Sequence, residues 1–148
     1  MLHIITDLND PLLDLVKDDP VRPEIPSAAR VIADRAEIFV LDYNEQVGAV
    51  TCVRYTNQVP TNVPELDDEL ETSVAVFYTI WSYQPGCGQR LIRAAQQHIL
   101  THRPNITRFV TLSPKTEMAR KFHHNNGAAT LQENETTINY EYQAGAAI

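Results

Sequence analysis

Residues 71–95, from Glu71 to Ala95, read ETSVAVFYTIWSYQPGCGQRLIRAA. They divide into a strand, a glycine turn and a helix. Val74, Val76, Tyr78 and Ile80 alternate with Ala75, Phe77, Thr79 and Trp81, and both sets are largely apolar. Such a run suits an interior strand covered on both faces. It stops at YQPGCG, where Pro85 cannot donate to a ladder and Gly86 and Gly88 permit a tight turn. Leu91, Ile92, Ala94 and Ala95 then recur at helical spacing, with Gln89, Arg90 and Arg93 between them. A turn that opens directly into a helix leaves first-turn N–H groups unpaired and aimed at one spot, with the positive end of the helix dipole behind them. That is chemistry for a phosphate or pyrophosphate. A glycine turn by itself is explained equally well by steric need alone.

The spacing narrows the choice. A P-loop ends in Gly-Lys-Ser/Thr, which is absent here, and a dinucleotide-binding turn needs a glycine where Leu91 stands. Tyr83, Gly86, Gly88 and Leu91 instead resemble the Gln/Arg-x-x-Gly-x-Gly pattern of the GNAT acyltransferase superfamily, with Tyr83 at the Gln/Arg place. The resemblance implies that this turn holds the pyrophosphate of coenzyme A and that the end of the preceding strand pairs with the pantetheine arm. Its cofactor-binding residues would be Trp81, Tyr83, Gln84, Gly86, Cys87, Gly88 and Gln89, with Cys87 acting through its backbone N–H. Trp81 and Tyr83 suit the channel wall and the core equally well.

Outward from this stretch, Met1–Thr6 reads as a short strand. Asp7 or Asn9 is expected to cap a helix from Pro11 to Lys17. Asp18–Pro26 holds three prolines and is a loop, and it could lie over an acceptor site. Ser27 is expected to cap a short helix through Ile32. Glu37–Tyr43 and Gln46–Tyr55 form a hairpin about Asn44–Glu45. Thr56–Glu71 is polar and acidic, with Pro60 and Pro64, and is expected to be a mobile connection. The helix after the glycine turn runs to His102, and Ile106–Leu112 is the next strand. Ser113-Pro114 is expected to open a helix that ends at Gly127, the serine as cap and the proline at the first position. Ala129–Gln132 and Thr137–Tyr142 make a closing hairpin. The strand–helix–strand order requires the strands ending near Trp81 and Leu112 to be parallel.

This is the element order of the GNAT fold, and the resemblance covers nearly the whole chain. It implies an α+β (α/β) three-layer architecture: a mixed, mostly antiparallel sheet with a parallel, splayed strand pair and flanking helices, in a single domain over 1–148.

A second motif lies at 118–128, MARKFHHNNGA. In GNAT proteins the matching segment carries a tyrosine four residues before a glycine, and it protonates the departing thiolate of coenzyme A. Here that place, counted from Gly127, is His123, which can also supply a proton near neutral pH. The segment is similar as well to the catalytic domain of malonyl-CoA decarboxylase, itself of GNAT fold, which shows Thr-Leu-Ser-Pro followed by Ala-Arg-Phe-His-x-x-Asn-Gly-Ala. This chain has TLSP at 111–114 and ARKFHHNNGA at 119–128, and AVFYTI at 75–80 is similar to that family's central strand. The decarboxylase uses a serine and a histidine. The histidine matches His123; the serine falls at Trp81, with Ser82 and Thr79 adjacent. The catalytic candidates are therefore His123 and Ser82. As a residue, His123 would otherwise be read as a packed helix histidine.

Composition sets the outer bounds. The chain has 148 residues, 43% apolar and 21% charged, ordinary for one globular domain. No apolar run is long enough to span a membrane, no signal-peptide layout appears, and Cys52 and Cys87 lie in different elements, so a reduced, cytoplasmic protein without a metal is expected. The net charge of −7 argues against nucleic acid. Residues 1–72 carry a net −10 and residues 73–148 a net +3, so the glycine turn sits in the basic half, as an anionic cosubstrate requires. The acidic half suits an amine acceptor or simple solubility equally. The expected activity is acyl transfer from acetyl-CoA or another acyl-CoA to an amine on a small molecule or protein. The alternatives are a decarboxylase-like enzyme and a non-catalytic acyl-CoA or protein-binding module. Homodimerisation stays open.

Overall fold

The structure, a computed structural model, describes residues 1–143. Eight strands form one mixed sheet: β1 (Leu2–Ile5), β2 (Ala36–Tyr43), β3 (Gln46–Thr56), β4 (Val74–Ser82), β5 (Arg108–Thr111), β6 (Ser113–Pro114), β7 (Ala129–Glu133) and β8 (Thr137–Tyr142). The α-helices are α1 (Ser27–Arg30), α2 (Cys87–His102) and α3 (Glu117–Asn125). Neighbours run β1-β2-β3-β4-β5-β8, with β6 also paired to β8 and β7 on β8's other side. All pairings are antiparallel except β4–β5. This is the expected mixed, mostly antiparallel sheet with one parallel pair.

Two apolar clusters hold the layers. On one face Leu91, Ile92, Ala95 and Ile99 of α2 pack on Phe39, Val53, Phe77 and Phe109. On the other, Ile38, Val40, Val50 and Val76 meet Leu12, Leu13, Leu15 and Val16 of a 3₁₀ helix at Pro11–Asp18. Each fully buried aliphatic side chain contributes roughly 1.5–3 kcal/mol.

The turn at Asn44–Glu45 has positive φ at both residues, 53° and 62°, which matches the twist of the β2–β3 hairpin. Four local expectations are corrected. The 3₁₀ helix is capped by Asp10, whose Oδ1 accepts from the Leu12 N–H at 2.9 Å, rather than by Asp7 or Asn9. Ser27 is the first residue of α1, behind Pro26, and caps nothing. Ser113-Pro114 starts no helix: both residues pair with β8, and the cap of α3 is Thr116, whose hydroxyl accepts from the Ala119 N–H. Strand pairing has overridden a cap-and-proline signal. Finally, Thr56–Glu71 is tied down. Arg35 donates to the carbonyls of Asp68, Glu69 and Leu70, Arg54 donates to Leu66 O, and Asn139 and Thr137 donate to Pro60 O and Thr61 O.

Candidate active site

The site begins where β4 and β5 part. Their parallel pairing runs from Val74↔Arg108 to Phe77↔Thr111, and the last bond across it is from Leu112 N–H to Phe77 O at 3.1 Å. From Tyr78 to Ser82, β4 has β3 on one side and, among the described residues, no strand on the other. That edge lines a cavity of about 340 Å³, walled also by Pro20, Val21, Gly88, Leu112, Ser113, Phe122 and His123.

A β-bulge shapes this edge. Thr79 pairs with Cys52 but Phe77 pairs with Val53, so β4 carries one extra residue at Tyr78. Before the bulge, Val74, Val76 and Tyr78 face the 3₁₀-helix side and Ala75 and Phe77 face α2. After it, Ile80 packs with the α2 cluster and Trp81 with the other. The simple alternation read from the sequence therefore breaks at Tyr78, and Tyr78 and Thr79 both serve the 3₁₀-helix side.

The glycine turn follows directly. Gln84–Pro85–Gly86–Cys87 closes with the Cys87 N–H on Gln84 O at 3.3 Å, and Gly86 sits at φ +79°, ψ −11°. Proline at the second place and a positive-φ glycine at the third define a type II turn. Gly86 is also the residue before α2, which has no side-chain cap. The first-turn N–H groups of Gly88 and Gln89 have no acceptor among the described residues. The Cys87 amide, expected to face a ligand, is spent in closing the turn, and its side chain is buried against Gly48, where any Cβ would stand 2.7 Å from Cys87 Sγ. The Gln84 amide reaches back to the carbonyls of Tyr43 and Val47 at 3.3 and 3.4 Å. A Cβ on Gly88 would stand 3.1 Å from Phe122, so α2 and α3 approach closely at this glycine. Gly88 is thus a packing position as well as part of the turn.

Trp81 is buried, and its Nε1 donates to the Tyr83 hydroxyl at 3.0 Å, which donates to Asp18 Oδ2 at 2.8 Å. Ser82 is exposed and lines the cavity.

His123 lines the cavity from α3 and is only 4% exposed. Its Nδ1 is 2.7 Å from the Tyr142 hydroxyl, and its ring stacks on Tyr140 at 5.1 Å. Burial, and then the neighbouring His124, push the imidazole down to about 4. The ring is therefore neutral at pH 7 and offers one N–H donor and one lone pair. His124 is exposed and bonds Thr130 at 2.9 Å.

Behind Pro20 and Val21 of the cavity wall stand residues the sequence did not single out. Asp19, in the loop after the 3₁₀ helix, is buried. Its Oδ2 accepts from Arg30 Nη1 at 2.7 Å, and its Oδ1 accepts from the Thr79 hydroxyl and from the N–H groups of Val21 and Arg22. Arg22 donates to Leu112 O at 3.0 Å. The loop thereby bridges β4 and the strand end beyond β5. Burial alone would raise the Asp19 carboxyl, but the Arg22 N–H, Arg30 and Thr79 outweigh it and hold it below the usual carboxylate range. No Asp or Glu lines the cavity, and no three of His, Cys, Asp or Glu come together as a metal cluster, among the described residues.

No protein-family model matches the sequence, and no curated protein matches it. Solved structures do match. Malonyl-CoA decarboxylase from Rhodopseudomonas palustris is similar with a TM-score of 0.74 and 18% identity, over 98% of this chain and 60% of that one. GCN5 of Tetrahymena gives 0.66 and 17%, over 100% and 98%. An acetyltransferase of Bacillus subtilis in complex with CoA gives 0.65 and 10%, over 96% and 97%. The chain spans 35–61% of the length of three malonyl-CoA decarboxylase chains that it resembles. The fold is that of the GNAT acetyltransferases, shared by malonyl-CoA decarboxylase. The described helices include none long and apolar enough to cross a membrane.

Proposed function

We propose that the protein binds an acyl-CoA in the cleft between β4 and β5 and transfers its acyl group to an amine. The observation that carries this reading is the continuity of two unpaired backbone surfaces. The free β4 edge, Tyr78–Ser82, leads straight into the turn whose Gly88 and Gln89 N–H groups lack acceptors. An extended amide-bearing arm suits the first and a pyrophosphate the second. An N–H on the free edge would stabilise the oxyanion as the amine adds to the thioester carbonyl. As the C–S bond breaks, His123 would donate a hydrogen bond to the departing sulfur, and the proton that the attacking nitrogen loses would pass through water to the thiolate, leaving amide and free thiol. Because no carboxylate lines the cavity among the described residues, the acceptor fits best as a neutral amine that has shed its proton to water.

A second reading, decarboxylation of malonyl-CoA, is favoured by Ser82 and His123 lining one cavity and by the decarboxylase matches. In that reaction the bond to the terminal carboxylate breaks, CO₂ leaves and the α-carbon takes a proton.

Incubation with acetyl-CoA or malonyl-CoA, with and without amines, followed by thiol titration and mass analysis, distinguishes these. Amine-dependent thiol release is the expected result. Conversion of malonyl-CoA to acetyl-CoA without thiol release would replace it with the second reading. No turnover, with coenzyme A still binding, would leave a binding module.

A further inference from the structure

Packing fixes the plane of the His123 ring but not its chemistry. Tyr140 stacks on one face at 28°, and Phe122 meets the ring edge-on at 5.1 Å and 82°. A half-turn of the ring about its own axis would leave both contacts nearly unchanged while exchanging the positions of nitrogen and carbon. One polar contact breaks that symmetry, the Tyr142 hydroxyl at 2.7 Å from Nδ1. Tyr142 reaches it from β8, where it is paired opposite Phe109.

We infer that Tyr142 is the positioning residue that holds His123 as the tautomer with its proton on Nε2, facing the cleft. Hydrogen-bond satisfaction decides between the two tautomers. A neutral imidazole has one donor and one acceptor nitrogen, and a phenol has one proton to place. Among the described residues the Tyr142 hydroxyl has no other acceptor, and Tyr142 is 5% exposed. If Nδ1 carried the proton, the phenol proton would be buried without a partner. If the phenol donates to Nδ1, both groups are satisfied and the imidazole proton sits on Nε2. That nitrogen has no protein partner among the described residues, on a ring that lines the cavity. Burial holds the Tyr142 phenol above its ordinary range and the imidazole below its own, so neither gives up this arrangement near neutral pH. The function of the arrangement rests on the acyl-CoA reading: a donor, rather than a lone pair, is presented to the leaving sulfur.

The test is the tautomer itself. Two-bond ¹H–¹⁵N correlation spectra of the ¹⁵N-labelled protein at pH 7 report which His123 nitrogen is protonated, in wild type and in Tyr142→Phe. Wild type is expected to show the Nε2-protonated form alone. Tyr142→Phe, which keeps the aromatic packing, should show a mixture, and any turnover should fall on the order of tenfold with KM little changed. A wild-type spectrum with the proton on Nδ1, or a tautomer unchanged in Tyr142→Phe, would overturn the inference. A wild type that turns over no acyl-CoA would sink the functional reading alone, because the spectra still decide the tautomer.

Discussion

The two ends of the cleft are built by opposite means. At the mouth, the turn Gln84–Gln89 is made of backbone: a proline, a positive-φ glycine and unpaired N–H groups, with little side-chain burial beyond Cys87. Toward the β4–β5 fork, residues 19–26 are organised by one buried ion pair, Asp19–Arg30, with side chains 0% and 1% exposed. The first end can receive an anion because its donors are left unspent. The second is held by charges spent mainly on one another: Arg30 is shared among Asp19, Ile25 O, Arg22 O and Cys52, and Asp19 among four donors, while the buried Arg22 Nε has no partner among the described residues. Chemical readiness and structural rigidity thus lie at different places along one cleft.

Breaking the ion pair should have the largest effect. Asp19→Ala leaves the Arg30 guanidinium buried without its counter-charge and should cost about 3–5 kcal/mol in urea unfolding. Replacing both partners together with apolar residues should cost clearly less. A loss under about 1 kcal/mol in the single variant would show that residues 19–26 are not held as described.

Next comes pH. His123 titrates at about 4 in the fold against an ordinary 6.5. Between those values the unfolded chain takes up a proton that the folded chain refuses. Stability therefore falls as pH drops from 6.5 to 4, by up to about 3 kcal/mol. The lowered Asp19 carboxyl enters only at the acid end of this window, and His98, held below its ordinary 6.5 mainly by burial, adds to the same fall. His123→Gln should lessen the slope between pH 6.5 and 4, leaving the part due to His98; an unchanged slope would assign all of it to other groups.

The turn should be the mildest to perturb. Gly86 has open space where a Cβ would stand, so Gly86→Ala meets only the strain of positive φ, about 1 kcal/mol. Gly88→Leu is a poorer probe, since it would push Phe122 and α3 as well as alter the turn. Comparing unfolding midpoints of Gly86→Ala and Asp19→Ala ranks the two ends directly.

The same contrast explains what can be read in the sequence. The turn is legible because Pro85, Gly86 and Gly88 act locally, and the strand and helix about them carry their own periodicities. His123 is reached through a resemblance in its motif, but its neutrality is not, because burial is a tertiary property. Asp19–Arg30 is illegible: the two residues are 11 apart in a proline-rich stretch, and nothing local says that both are buried. The bulge at Tyr78 is hidden by an alternation that runs on unbroken in the letters. Ser113-Pro114 misleads because a cap-and-proline pair looks the same whether a helix or a sheet partner follows. Tyr142 shows only as one of two alternating tyrosines on a closing strand.

The central claim is that coenzyme A is held by backbone at the free β4 edge and the glycine turn. Amide ¹H–¹⁵N spectra recorded during titration with coenzyme A test it most directly. The account predicts that the largest shifts fall on Gly88 and Gln89, with a second set along Tyr78–Ser82 and little change at Ile25 and Arg30. Shifts centred elsewhere, or none at millimolar coenzyme A, would contradict it.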